Sequence, residues 1–182
     1  MKKFMMTLAA VLCCAMTTTV LTACGGGDDS GDTPGADTTP VAAKLVSEIT
    51  VSDDLVKYMD ITVEYYDATG AIQKEQITTT KWSKDVTAKL VAKLGARVTI
   101  KLKDGVDVSK IDKATMGYSY AYAGACLNAA GQTVGSVTAD QFEHSIVISG
   151  SDIEKFIENR KAGLIKYLYI FDGKSVTNGT WE

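Results

Sequence analysis

The chain has 182 residues and a formal net charge of −3, from 19 Lys and Arg against 22 Asp and Glu. That length suits one domain with a sizeable core. The near-balanced charge, with no basic run or basic–aromatic stripe, argues against a nucleic-acid partner.

The N-terminus comes first. Lys2 and Lys3 precede the apolar run Phe4 to Met16, and a threonine-rich stretch with small residues leads to Cys24. This is the layout of a secretory signal peptide over residues 1–23. No later segment approaches the ~18 uninterrupted apolar residues that a spanning helix needs. The tetrad Leu21-Thr22-Ala23-Cys24 resembles the lipobox of bacterial lipoproteins. That resemblance implies that the Cys24 sulfur receives a diacylglycerol, that the chain is cut before Cys24, and that membrane lipid is its first partner. A thiolate is the nucleophile such a transfer requires. Two or three acyl chains, at ~0.8 kcal/mol per buried methylene, hold a protein stably where one chain does not.

Residues 25–40, GGGDDSGDTPGADTTP, carry five glycines, four aspartates and both prolines of the chain. This composition cannot offset the entropy of ordering, so residues 24–40 read as a lipidated cysteine and a disordered acidic tether. Its reach is about 22 Å root-mean-square. Within the lipoprotein resemblance, Gly25 departs from the aspartate that retains some lipoproteins in the inner membrane, which implies the outer membrane. Asp28, Asp29 and Asp32 look like the surface-export signals of certain lipoproteins, and read equally well as a solvated linker. The cell surface and the periplasmic face both stay open.

From Val41 to Glu182 the sequence reads as a single β-rich domain with 17 Lys and Arg against 18 Asp and Glu. Over 55–66, Met59, Ile61, Val63 and Tyr65 alternate with Asp60, Thr62 and Glu64, which predicts a strand. Asp67 to Gly70 is a turn, and Ile72 to Thr79 returns as the second arm of a hairpin. Segment 84–94 fits helix and strand alike; Trp82 before it and Gly95-Ala96 after it look like bounding turns, so strand is preferred. Val98, Ile100 and Leu102 alternate with Arg97, Lys101 and Lys103, outward cations that suit an edge strand. Tyr118, Tyr120 and Tyr122 share one face of the next strand, Ala129 to Gln132 turns the chain, and Thr133–Ala139 returns. Ser151-Asp152-Ile153-Glu154 has the form of a capping box opening a helix near 151–162, with Gly163 as its C′ residue. Leu164 to Phe171, apolar on both faces, predicts a central strand.

A faint repeat runs through this pattern: long strand, ATG or AAG turn, second strand, a segment ending at Gly95 or Gly163, then a strand. The spacings are unequal, so recurrent β architecture explains it as well as duplication. Six to eight antiparallel strands most resemble an immunoglobulin-like β-sandwich, without that family's Cys…Trp…Cys set. The alternative is an α+β antiparallel sheet with helices on one face.

Catalytic signals are missing. His144 is the only histidine, at an expected strand start in EHSIVIS, and no GxSxG, HExxH or phosphate-binding glycine loop occurs. Asp60 and Glu64 share a strand face, but four residues of strand set them ~13 Å apart, too far for a glycosidase pair. Asp104, Asp107 and Asp112 match no calcium-loop spacing and read as turn residues. Cys126, the only thiol left after processing and acylation, reads as a buried small hydrophobe. No cofactor or metal is implied. The expectation is a non-catalytic binding or adhesion module, with a structural or assembly role in an outer-membrane complex as alternative. Tyr58, Tyr66, Trp82 and Trp181 are the candidate contacts for a glycan or protein ligand, if they are exposed and not caps on the core.

Overall fold

Alternation of apolar and polar residues gives each strand one greasy face, and two such faces bury each other. A computed structural model describes residues 37–181; the signal peptide, Cys24 and most of the tether lie outside them. Its strands are β1 (Ala42–Val51), β2 (Met59–Tyr66), β3 (Ile72–Gln76), β4 (Lys81–Lys89), β5 (Ala92–Leu102), β6 (Ala114–Leu127), β7 (Thr133–Ile148), β8 (Ile165–Phe171) and β9 (Val176–Asn178). Two short helices join them, α1 (Asp53–Tyr58) and α2 (Ile153–Glu158). The strands form a four-stranded sheet, β4-β1-β6-β7, packed on a five-stranded one, β3-β2-β5-β8-β9. Every pairing is antiparallel. The protein is an antiparallel β-sandwich.

The core lies between the sheets. Leu45, Ile49, Met59, Ile61, Val63, Leu94, Val98 and Phe171 are almost wholly buried there, each from the inward face of its strand. Cys126 is fully buried in the same layer, and burial pushes its thiol pKa up.

The faint repeat has a structural counterpart in a different register. Raising β4 and β1 by four and lowering β6 and β7 by four maps the first sheet's order onto β8-β5-β2-β3: β1 pairs β4 as β5 pairs β8, β2 pairs β3 as β6 pairs β7, and the β1–β6 pair corresponds to β5–β2. The two hairpin turns agree atom for atom. In one, Thr69 and Ala71 N–H donate to Asp67 Oδ1 and Gly70 N–H to the Asp67 carbonyl. In the other, Ala130 and Gln132 N–H donate to Asn128 Oδ1 and Gly131 N–H to the Asn128 carbonyl. Both glycines sit at positive φ, +82° and +76°. Gly95 and Gly163 are not equivalents: the first lies inside β5, the second just before β8.

Five local expectations need correction. The start of 55–66 is helical, because the Ser52 hydroxyl caps α1 at Leu55 N–H and Asp53 and Asp54 suit its first turn. Segment 84–94 is strand, but it is split between β4 and β5, with Trp82 inside β4 and Gly95 inside β5. β5 is a central strand, not an edge; Arg97 is matched by Glu64, to which its Nε donates over 2.7 Å. The helix after residue 150 has only six residues and no side-chain cap, since the Ser149 hydroxyl takes Asp152 Oδ2 at 2.6 Å. β7 continues through His144 to Ile148 and does not stop at Ala139.

Candidate functional site: an aromatic ledge beside β7

On β6, even-numbered residues face inward, so Tyr118, Tyr120 and Tyr122 point between the sheets. Their partners across the ladder are His144, Phe142 and Asp140 of β7. From the facing sheet, β8 contributes Tyr167 and Tyr169. The rings form a continuous stack from the core outward. Tyr122 lies 4.4 Å from Tyr167, Tyr120 5.9 Å from Tyr122 and 5.8 Å from Phe142, and Phe142 6.5 Å from His144 (centroid distances). Tyr122 and Tyr167 are buried, whereas Phe142 is 45% exposed. The stack opens because β9, the strand that should cover this side, has only three residues.

Polar groups are interleaved with the rings. The Tyr120 hydroxyl donates to Asp140 Oδ2 over 3.2 Å, and the Tyr122 and Tyr169 hydroxyls share a hydrogen bond. Burial, then the Asp140 carboxylate, raises the Tyr120 pKa; burial with the Tyr169 hydroxyl raises that of Tyr122 far more. These phenols therefore stay protonated as donors. Beyond the ledge, an Arg160 guanidinium N–H lies 3.3 Å from His144 Nε2. Arginine has only donors, so this nitrogen accepts. The same guanidinium sits 3.9 Å from the Phe156 ring centroid and closes that end.

A flat π face carries negative charge density and attracts polarised C–H groups, while flanking hydroxyls and a carboxylate bind O–H groups. The ledge therefore suits a ligand with one apolar C–H face and equatorial hydroxyls. It offers no nucleophile–base pair and a single carboxylate.

The aromatics singled out in the sequence lie elsewhere, in three separate places. Trp82, 9% exposed, packs inside against Tyr65, and its indole N–H donates to Glu75. Trp181, 8% exposed, lies against Tyr66 on the outer face of the five-stranded sheet and donates to the Tyr167 carbonyl. Tyr58 is half-buried at the end of α1 under Lys57. Asp60 and Glu64 do share the outer face of β2, but Glu64 is neutralised by Lys74 and Arg97, which lower its pKa. Asp107 caps a 3-10 turn through Ser109 N–H, and Asp104 pairs with Lys101. Among the described residues no group of three or more His, Cys, Asp or Glu is placed to hold a metal. A separate open groove of about 680 Å³, where β3 leaves β2, is lined by Asp60, Thr62, Gln76, Thr99 and Lys101 among others. Its one carboxylate, Asp60, lies opposite Lys101 across the β2–β5 ladder.

The ledge was half legible. The tyrosines of β6 share a face by their spacing, and Phe142, His144, Ile146 and Ile148 continue the same alternation on β7. Ending that strand at Ala139 hid Phe142. No protein-family model matches this chain, and neither a curated protein nor a solved structure matches it.

Proposed function

We propose that this chain is a lipid-anchored lipoprotein of the outer membrane, whose β-sandwich is a non-catalytic binding or adhesion module taking a glycan on the Tyr120–Phe142 ledge. The observation that supports binding is Phe142: an aromatic ring 45% exposed, stacked on Tyr120 and flanked by Asp140, on a rigid strand pair. An exposed ring held flat by its neighbours presents its face to a ligand at little entropic cost. The anchor rests on the Leu21–Cys24 tetrad.

Two measurements test this reading. Migration of the full chain through native gels containing soluble polysaccharides should be retarded by at least one of them. Phe142→Ala should abolish that retardation while leaving the melting temperature unchanged. Retardation that survives in the Phe142→Ala variant, or none with any glycan, rejects the ledge as a sugar site. For the anchor, Cys24→Ser should block incorporation of radiolabelled palmitate and leave the precursor uncut, since serine supplies no thiolate. Label entering the serine variant would falsify the lipobox reading.

A further inference from the structure

We infer that β7 is a self-association edge, which pairs antiparallel with β7 of a second copy about a twofold axis through Phe142. The two four-stranded sheets then become one sheet of eight, in which the Phe142 rings lie side by side on one face and the two ledges meet as one continuous aromatic surface.

Edge strands ordinarily defend themselves with lysine, proline or brevity. The other edges here do so: β4 carries Lys81, Lys84 and Lys89, β3 carries Lys74, and β9 has three residues. β7 is 16 residues long with no Lys, Arg or Pro, and among the described residues β6 is the one strand paired with it. Its hydrogen bonds to other elements are side-chain ones, from Ser136 to the Lys174 carbonyl and between His144 and Arg160. Among the described residues, four of the seven exposed large apolar ones lie on it: Val137, Phe142, Ile146 and Val147. The internal repeat sharpens the contrast, because β3, the counterpart of β7, has five residues. After the irregularity near Gly135, residues 137–148 pair with β6 in unbroken register, so the outer edge is equally regular.

The occupant follows from register. Directly opposed residues of antiparallel strands share a face, so a twofold axis normal to the sheet passes through a residue and not between two. An axis at Asp140 or Glu143 sets an acid against its own copy, and one at Gln141 sets Asp140 against Phe142. At Phe142 every opposition is favourable or neutral: Phe142 meets Phe142, Asp140 meets His144, Val137 meets Val147, and Gln141 meets Glu143. Cross-strand aromatic and β-branched pairs are among those that stabilise a sheet, and in this register no like charges meet. This single strand complements itself.

The full lipidated chain, purified in detergent, provides the test. Sedimentation equilibrium should give a protein dimer. Opposed β residues bring their Cβ atoms within disulfide reach, so Phe142→Cys should cross-link under mild oxidation, whereas Gln141→Cys should not. Val137→Lys with Val147→Lys sets lysine against lysine twice at positions exposed in the monomer. That double variant should raise the dimer dissociation constant by about tenfold or more, with the wild-type melting curve retained at dilutions where both proteins are monomeric. Monomeric wild-type protein, or a dimer that persists in the lysine variant because the lipid anchors alone bring chains together, overturns the inference. Preferential cross-linking through Gln141→Cys overturns the axis at Phe142.

Discussion

Glu75 of β3 and Trp82 of β4 tie the edges of the two sheets together: the indole N–H donates to Glu75 Oε2 over 2.8 Å. The other carboxylate oxygen accepts from the Tyr65 hydroxyl at 2.7 Å and from Lys84 Nζ at 2.6 Å. This cluster closes one flank of the sandwich, while the opposite flank, between β7 and β9, is the open ledge. Hydrogen bonds from Lys84, then from Tyr65 and Trp82, lower the Glu75 pKa to about 2.

A depressed carboxylate pKa stabilises the fold fully above the unfolded-state value and less as pH falls toward the folded one. Glu75 should therefore contribute at neutral pH and lose its contribution between about pH 4.5 and about pH 2. Glu75→Ala should cost about 2 kcal/mol at pH 7, because it strands two buried donors. Urea titrations of Glu75→Gln should show a shallower loss of stability in acid than wild type. Superimposable pH profiles would mean the cluster is silent.

The paired turns yield a second expectation. Asp67 has its pKa lowered to about 2, by Thr69 and Gln73 side chains first, yet Asn128 makes the same backbone bonds in the equivalent turn without a charge. Asp67→Asn should thus leave the urea midpoint nearly unchanged, whereas Asp67→Ala, which leaves the Thr69 and Ala71 N–H groups without that acceptor, should lower it. Equal losses for Asn and Ala would show that charge and not turn geometry matters there.

Gly150 marks where the segment after β7 docks on the segment before β6. A Cβ there meets the Val108 carbonyl oxygen at 2.0 Å and that of Ile111 at 2.5 Å, both rigid backbone. Gly150→Ala should destabilise by roughly 1–3 kcal/mol through overpacking. The loss should appear as a lower urea midpoint with unchanged slope, and a neutral substitution would contradict the tight contact.

For the proposed tether, length should matter and order should not. Scrambling 26–40 should leave the β-sandwich folded, since this composition carries almost no apolar side chain and none of residues 37–40 is buried. Removing about ten residues cuts the reach from ~22 Å to ~14 Å and should weaken capture of a bulky partner on cells while sparing a small sugar. Replacing Asp28, Asp29 and Asp32 by serine at constant length tests the address reading. Loss of protease accessibility on intact cells would favour an export signal over a spacer.

Local chemistry made much of this molecule legible in one dimension. Period-2 alternation identified β2, β5 and β6, an apolar run identified β8, and the glycine-bearing segments Asp67–Gly70 and Ala129–Gln132 marked both hairpin turns, because these features act over a few residues. Cys126 was readable as buried for the same reason. What the chain alone left undecided depends on partners distant in sequence. Whether Arg97 sits on an edge or in the middle depends on Glu64 and on β8 arriving alongside. Trp82 looked like a turn residue until Glu75 and Tyr65 enclosed it. The capping box at Ser151 lost to Ser149 and Asp152, whose side chains satisfy each other in a segment pinned by Gly150. The ledge itself exists only because three strands bring their rings together and a fourth, β9, is too short to cover them; no local rule carries that information.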